Sequence, residues 1–435
     1  DAVRRTGLEY LNETSVSYQY NDAGWVTALF NTQSDPGDIS SFVYTHDEAG
    51  NRLTNTASWG TQTYSYDNIY QITQVDYPDG FPFPDMTYNY DPVGNRDSTV
   101  NGGTVAYENN ELNEYTSVDW TTFTSDLRGN LVNDGDQSYH YDLENRLTAV
   151  NGNISYTYNP FGLRTGKTVG GNTTTYVLDN NRVVEEWEDG ELQRKFIYGV
   201  GIDEPLVMVQ DENKYYYYRD GLGSVTDLTD SDGDSVKEYV YAIYGDFNAS
   251  GPLTGNPYTF TGRRYDPESG LFYYRARMYS ADVGRFLQVD PIGYGDGPNL
   301  YSYVGNNSIY FIDPWGLKEC FWKEEYDKCM EEPVRVFMRC MKMGTETYEK
   351  AKEEIKESEK FWREVCDKIS NIILRDACHF AVDATFEPAY KTIWIAFSSW
   401  TSGCLMRYSA CEIACRKGAE YEVPDECPCE IKNKL

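Results

Sequence analysis

The sequence predicts a mainly β protein built from antiparallel hairpins, followed by a small cysteine-rich α-helical domain. Three observations support this fold class. A Tyr-x-Tyr-Asp motif recurs along the first part of the chain, glycine occurs 36 times, and the composition changes abruptly after Leu317. Of 39 tyrosines, 34 lie at or before Leu317, whereas all ten cysteines follow it. One domain rarely changes its chemistry so sharply, so Leu317 is predicted to be a domain border.

The net charge alone excludes one class of function. The 435 residues carry a net charge of -31, of which -27 falls in residues 1–317 and -4 after them. Such a surface repels phosphate, which excludes a nucleic-acid reader. No apolar run approaches the ~20 residues of a membrane span, and no signal peptide opens the chain. Because a repeat is already under way at residue 1, we expect a fragment of a longer protein.

The repeat unit has a simple physical reading. Alternating Tyr-x-Tyr is a period-two strand with one aromatic face. Asp or Asn with Gly a few residues later makes a tight turn, and the Arg-Leu-Thr that follows starts a return strand. Each unit is therefore a hairpin, and neighbouring hairpins bury a shared face. A generic tyrosine-rich β-sandwich is the alternative, but sandwiches do not repeat one motif. The copies start at Tyr18, Tyr44, Tyr64, Tyr88, Tyr139 and Tyr156, with a shorter copy at Asp126.

This pattern resembles the YD repeats, also called RHS repeats, of bacterial secreted toxins and animal teneurins. The resemblance covers most of residues 1–317. It implies a spiralling antiparallel β-sheet that forms part of a hollow shell, with the regular repeats in residues 1–175. About 300 residues is short for a complete shell, which again favours a fragment.

Residues 176–317 resemble the RHS repeat-associated core domain. Tyr215 to Thr229 reads as strand, glycine turn and strand, although Arg219 stands where the family usually has His. The block from Phe260 to Phe286 and the stretch from Asp290 to Leu317 carry the strongest part of the resemblance. The latter holds two Asp-Pro-x-Gly turns, 290–293 and 313–316.

The resemblance implies an aspartyl autoprotease that cuts directly after the Leu of the second motif. Here that bond is Leu317–Lys318, with Asp290 and Asp313 as the catalytic pair and Arg285 as a supporting positive charge. Two nearby carboxyls cannot both ionise, so one keeps its proton while the other activates water. Because both aspartates lie in turns rather than in a packed face, we expect either to be replaceable without loss of the fold.

Two alternatives for this site stay open. Asp-Pro-x-Gly is a good turn by itself, and the same motif occurs in an ordinary repeat at Asp91 to Gly94. Asp296 lies between the two motifs and is either the true partner or a surface turn.

Residues 318–435 form the predicted third domain, with four or five helices. Its ten cysteines indicate disulfides and an oxidising compartment, so a secreted or cell-surface protein is expected. Helical spacing makes Cys329–Cys415 and Cys340–Cys404 candidate pairs, although connectivity is open. A zinc site is the alternative explanation of the cysteines, favoured only by Cys427-Pro-Cys429. We expect no metal or other cofactor.

One possible catalytic feature occurs in the tail. His379 lies near Asp376 and Asp383, an arrangement faintly similar to secreted phospholipases. A lone His on a helix is more often structural, and the resemblance assigns the tail a variable, often toxic role without naming its reaction.

Two functions follow from these patterns. The first is a carrier whose shell encloses and delivers the C-terminal domain as a toxin, with the upstream part of the same protein completing the shell. The second is a secreted or surface adhesion protein that binds other proteins or a cell surface and whose tail is a disulfide-stapled plug.

Overall fold

The computed structural model describes residues 4–33, 38–295 and 297–317, together with the backbone of Cys320–Phe321. These residues belong to one compact unit, residues 1–326. Within them, no helix is long and apolar enough to cross a membrane. Several predictions lie outside the described residues: Asp296, Lys318, the tail helices, His379, the disulfide candidates and the cysteine zinc alternative.

A meander of twelve antiparallel strands in chain order forms the first sheet. The strands are β1 (Gly7–Glu9), β2 (Ser15–Tyr20), β3 (Val26–Thr32), β4 (Asp38–His46), β5 (Arg52–Ala57), β6 (Gly60–Tyr66), β7 (Ile72–Asp76), β8 (Met86–Tyr90), β9 (Arg96–Val100), β10 (Thr104–Asn109), β11 (Tyr115–Val118) and β12 (Thr121–Thr122).

A short hairpin leads into a second meander of twelve antiparallel strands. The hairpin is β13 (Thr124–Ser125) and β14 (Leu131–Asn133). The second sheet contains β15 (Tyr139–Tyr141), β16 (Leu147–Val150), β17 (Ile154–Tyr158), β18 (Arg164–Val169), β19 (Asn172–Asp179), β20 (Arg182–Glu188), β21 (Glu191–Tyr198), β22 (Pro205–Gln210), β23 (Asn213–Arg219), β24 (Val225–Thr229), β25 (Ser235–Tyr241) and β26 (Phe247–Ser250).

Two small sheets follow. Four strands make the first: β27 (Arg264–Asp266), β28 (Leu271–Tyr274), β29 (Arg277–Ser280) and β30 (Arg285–Phe286). The second pairs β31 (Phe311–Ile312) with β32 (Cys320–Phe321). Single 3-10 turns occur at Phe260–Gly262, Gly293–Gly295 and Val304–Asn306. The predicted mainly β fold with long antiparallel sheets is confirmed. Residue 175, where the regular repeats were predicted to end, lies within β19 of the second sheet.

The repeat turns are held by their first aspartate, as the turn between β8 and β9 shows. Asp91 Oδ1 accepts hydrogen bonds from the backbone N–H of Val93 and Asn95, both at 2.9 Å. Its Oδ2 accepts one from the Asn95 side chain at 2.8 Å. Gly94 has φ +82°, a conformation that favours glycine. The turns of Asp47, Asp67 and Asp126 share this pattern with an amide side chain at the fifth position.

The tyrosine before each turn links one repeat to the preceding one. Tyr90 donates from its hydroxyl to the Ile72 carbonyl at 2.9 Å, and Ile72 begins the strand that follows the preceding turn. The first tyrosine of the motif, such as Tyr88, is instead buried in the aromatic face. The same backward bond occurs from Tyr66 to Arg52, Tyr141 to Leu131, Tyr158 to Leu147 and Tyr241 to Val225. This bond explains why the motif needs two tyrosines.

The last described segment packs along the edge where these turns lie. Alternate turns of a meander share one edge, so the inward amides at the fifth turn position form a row. The row receives side chains from residues 299–307. The contacts are Asn307 Nδ2 to Asn51 Oδ1 at 3.2 Å, Asn306 Nδ2 to Gln71 Oε1 at 2.8 Å, and Asn299 Nδ2 to Asn95 Oδ1 at 2.8 Å. The repeats therefore position the segment that carries both Asp-Pro-x-Gly turns.

Candidate active site

Two aspartates distant from each other in sequence meet at one arginine. Arg277, the first residue of β29, places Nη2 2.8 Å from Oδ2 of Asp290 and 3.3 Å from Oδ2 of Asp313. All three side chains are at most 4% exposed. The fold thus brings together the two carboxyls that the sequence predicted as a pair, around a cation that the sequence analysis did not select.

Arg277 is fixed by contacts on every side. Its guanidinium carbon lies 3.6 Å from the centre of the Phe286 ring. Nε donates to the Gly316 carbonyl at 2.6 Å, and Nη1 donates to the Leu300 carbonyl at 3.1 Å. A planar guanidinium with several fixed donors suits this role, because it can hold two carboxylates and two carbonyls at once.

Asp290 is inclined to keep its proton. Burial raises the pKa of Asp290 to about 7, and the charge of Asp313 raises it too, while Arg277 and the N–H of Ile292 act in the opposite direction. That N–H donates to Asp290 Oδ1 at 2.9 Å. A carboxyl with such a pKa is still partly protonated at neutral pH.

Asp313 lies directly beside the predicted cleavage position. Its Oδ1 accepts a hydrogen bond from the Leu317 backbone N–H at 3.0 Å. The turn between them needs glycine, because Gly316 has φ +66° and a Cβ there would lie 2.5 Å from the Tyr274 carbonyl oxygen. The turn therefore brings the carboxyl of Asp313 to the backbone of Leu317, the residue whose carbonyl would be attacked.

The structure places Arg285, the predicted supporting charge, elsewhere. Its guanidinium lies over the rings of Tyr115 and Tyr301, at 3.9 and 4.8 Å, and Nη2 donates to the Asn113 carbonyl at 2.7 Å. These contacts hold Arg285 against the first sheet, whereas the guanidinium that bonds to both carboxyls belongs to Arg277. The signal for Arg277 was an arginine beginning a strand whose first three residues are all buried.

The expectation that both aspartates lie outside the packed interior is wrong. Counted with their backbone atoms, Asp290 is 5% exposed and Asp313 is 1% exposed. Both motifs are turns, as predicted, since Gly293 N bonds to Asp290 O at 2.9 Å and Gly316 N to Asp313 O at 3.4 Å. These turns are covered by the core, so a replacement that changes size is expected to disturb packing.

Among the described residues, no group of three or more His, Cys, Asp or Glu side chains is placed to hold a metal ion. The side chains described at the site are two carboxyls and one fixed arginine, next to the main chain of residues 316–317. Such a set can deliver a proton at one oxygen and accept one at another.

Comparisons with known proteins place the repeats in a family. The teneurin YD-shell family model matches residues 51–307. The tRNA3(Ser)-specific nuclease WapA of Bacillus spizizenii is 33% identical over 274 residues, which are 58% of this chain and 12% of that protein. The double-stranded DNA deaminase toxin A of Burkholderia cenocepacia is 26% identical over 330 residues, 70% of this chain and 21% of the toxin.

Solved structures show the same fold. The crystal structure of TcdB2-TccC3-Cdc42 matches with a TM-score of 0.61 at 21% identity, over 71% of this chain and 18% of that one. This chain spans only 12% of the length of the WapA relative. The family model nevertheless covers more than half of this chain. The chain therefore belongs to the teneurin YD-shell family, the YD/RHS repeat family that includes polymorphic toxins.

Proposed function

We propose that this protein is a YD-shell carrier that encloses residues 318–435 for delivery and cuts its own chain between Leu317 and Lys318. The observation that carries the proposal is the pairing of two buried carboxyls on Arg277, one of them hydrogen-bonded to Leu317. The spiral that closes the shell, and the upstream part of the protein that completes it, belong to the same proposal.

The geometry suggests a division of labour between the carboxyls. Asp313, beside Leu317, takes a proton from water as the water oxygen bonds to the Leu317 carbonyl carbon. Asp290 holds the other proton and donates it to the Lys318 nitrogen as the C–N bond breaks. Arg277 keeps its charge between them and stabilises the carboxylate that remains ionised at each stage. The products are a Leu317 carboxylate and a Lys318 amine.

This assignment predicts how self-cleavage depends on pH. Asp290 has a pKa of about 7 and acts as the acid, so its active form is lost as the pH rises past that value. We expect the rate constant to fall by about tenfold per pH unit above pH 7. Time courses of freshly translated chain between pH 6 and 9 measure it. A rate that rises steadily through this range would contradict the assignment of Asp290 as the acid.

We also propose that the cut tail stays associated. Strand β31 pairs with β32, so the bond to be cut lies in the connection between two paired strands. Cleavage breaks one peptide bond there and leaves the strand pairing in place.

Secretion or surface display fits the ten tail cysteines, most of which we expect to be oxidised. Fewer than eight free thiols in denatured, unreduced protein is the expected titration result.

The effector role of the tail is tested by expressing residues 318–435 alone in a test cell. Relatives carry names such as nuclease and deaminase toxin, which supports a toxic cargo. Growth arrest is the expected result. Harmless export of a disulfide-bonded product would instead support a structural plug.

One observation favours the second function, adhesion. Three large apolar side chains in turns are largely exposed, those of Leu127, Leu143 and Phe161. Exposed apolar groups that together form a patch are typical of surfaces that meet another macromolecule. Growth arrest by the isolated tail would decide for the carrier.

A further inference from the structure

The segment before the cleavage position is held in register by one tight turn. Residues 275–276 connect β28 to β29, which begins at Arg277. Each of these three residues contacts one successive carbonyl of the segment. Ala276 N–H donates to the Trp315 carbonyl at 3.1 Å, and Arg277 Nε to the Gly316 carbonyl at 2.6 Å. Arg275 Nη1 donates to the Pro314 carbonyl. Three consecutive carbonyls therefore meet three consecutive residues, in the manner of a peptide bound in a cleft.

Arg275 makes the first of these contacts from a constrained position. Its residue is 6% exposed, and its guanidinium carbon lies 4.7 Å from the centre of the Trp315 ring. Its φ of +57° is in the left-handed region, which disfavours residues other than glycine. A conformation of this kind persists only where the surroundings fix it.

The group that fixes Arg275 comes from the second sheet. Asp203, in the loop between β21 and β22, accepts from Arg275 Nη1 at 3.0 Å and from Nη2 at 2.6 Å. It also pairs with Arg263 Nη1 at 2.8 Å. Burial alone would raise the pKa of Asp203, but Arg263 and Arg275 outweigh burial and lower it, so the carboxylate is charged.

We propose that Asp203 is a positioning residue for self-cleavage, acting through Arg275 on the Pro314 carbonyl and the Trp315 ring. The proposal rests on the autoprotease function proposed above. Asp203 touches none of the reacting atoms; it sets where residues 314–315 lie, and thereby where the Leu317 carbonyl lies relative to Asp313. Because Asp203 lies in a loop of the second sheet, the site is complete only after that sheet has packed against the four-stranded sheet β27–β30. Cutting is thus coupled to assembly of the shell.

The test compares Asp203→Asn with a matched control, Glu186→Gln. Glu186 is also a buried carboxylate between two arginines of the same region, Arg194 and Arg264, but those arginines bind it rather than the segment before the cut. Self-cleavage of full-length chains is followed after cell-free translation. We expect Asp203→Asn to slow cutting by at least ~10-fold, as misplaced reacting groups do, and Glu186→Gln to stay near the wild-type rate.

Two further readouts separate positioning from general stability. The pH midpoint should be the same in Asp203→Asn and wild type, because Asp290 is untouched. Arg275→Ala should cut slowly and regain rate when millimolar guanidinium chloride, but not sodium chloride, is added. If the wild type cuts but Asp203→Asn and Glu186→Gln cut at equal rates, the positioning role is overturned and the autoprotease is not. The same holds if guanidinium does not rescue Arg275→Ala. A wild type that never cuts would overturn the autoprotease itself.

Discussion

Replacing Asp313 with Asn is expected to leave the chain at full length, whereas the wild type yields a tail fragment of 118 residues, 318–435. An amide cannot accept the proton from the attacking water, so the base is lost while the side chain keeps its size. Asp290→Asn should have the same effect, because an amide cannot serve as the acid. Denaturing gels of all three proteins after long incubation measure the outcome.

The chain supplies a matched control for these variants. Asp91 heads an Asp-Pro-x-Gly turn of the same sequence type, and its carboxylate binds only its own turn among the contacts described above. Asp91→Asn should therefore cut normally. Block of cutting by Asp91→Asn as well would show that the turn, and not the carboxyl pair, is what matters.

Replacing Arg277 with Met is expected to cause a large loss of stability. It would leave Asp290 and Asp313 buried without their shared cation, and removing one partner of a buried ion pair costs about 3–5 kcal/mol. Urea unfolding monitored by tryptophan fluorescence measures the free energy of unfolding. Arg128→Gln is the control, since Arg128 is 39% exposed in its ion pair and such surface pairs contribute about 0–1 kcal/mol.

The reason for the loss can be tested within the same series. If uncompensated charge is responsible, adding Asp290→Asn and Asp313→Asn to Arg277→Met should restore part of the stability, because no buried carboxylate is then unpaired. An equal or greater loss in the triple variant would mean that Arg277 acts mainly through its packing on Phe286 and its bonds to the Gly316 and Leu300 carbonyls.

Local patterns predicted the repeats well because the forces that make them are local. Tyr-x-Tyr gives a strand, and Asp91 with Gly94 closes a turn by bonds that span four residues. The same patterns did not reveal the use of Asn95 and Gln71 as docking points for residues 299–306, because those partners lie some two hundred residues away.

The candidate site likewise has a part that the sequence predicted and a part that depends on tertiary packing. The Asp290 and Asp313 turns were visible in the sequence, and a family resemblance joined them. The choice between Arg285 and Arg277 depended on which way β29 and β30 present their side chains, and that depends on packing against Tyr115 and Phe286. Proximity in sequence favoured Arg285, which is five residues from Asp290. The fold selected Arg277.

The measurement that tests the central claim most directly is the intact mass of the purified wild-type protein under denaturing conditions. The account predicts two species, one ending at Leu317 and one beginning at Lys318, with no full-length chain of 49.9 kDa after long incubation. A single full-length mass that persists from pH 5 to 8 would contradict it. The two Asp-Pro-x-Gly motifs would then be buried turns held by Arg277, without protease chemistry.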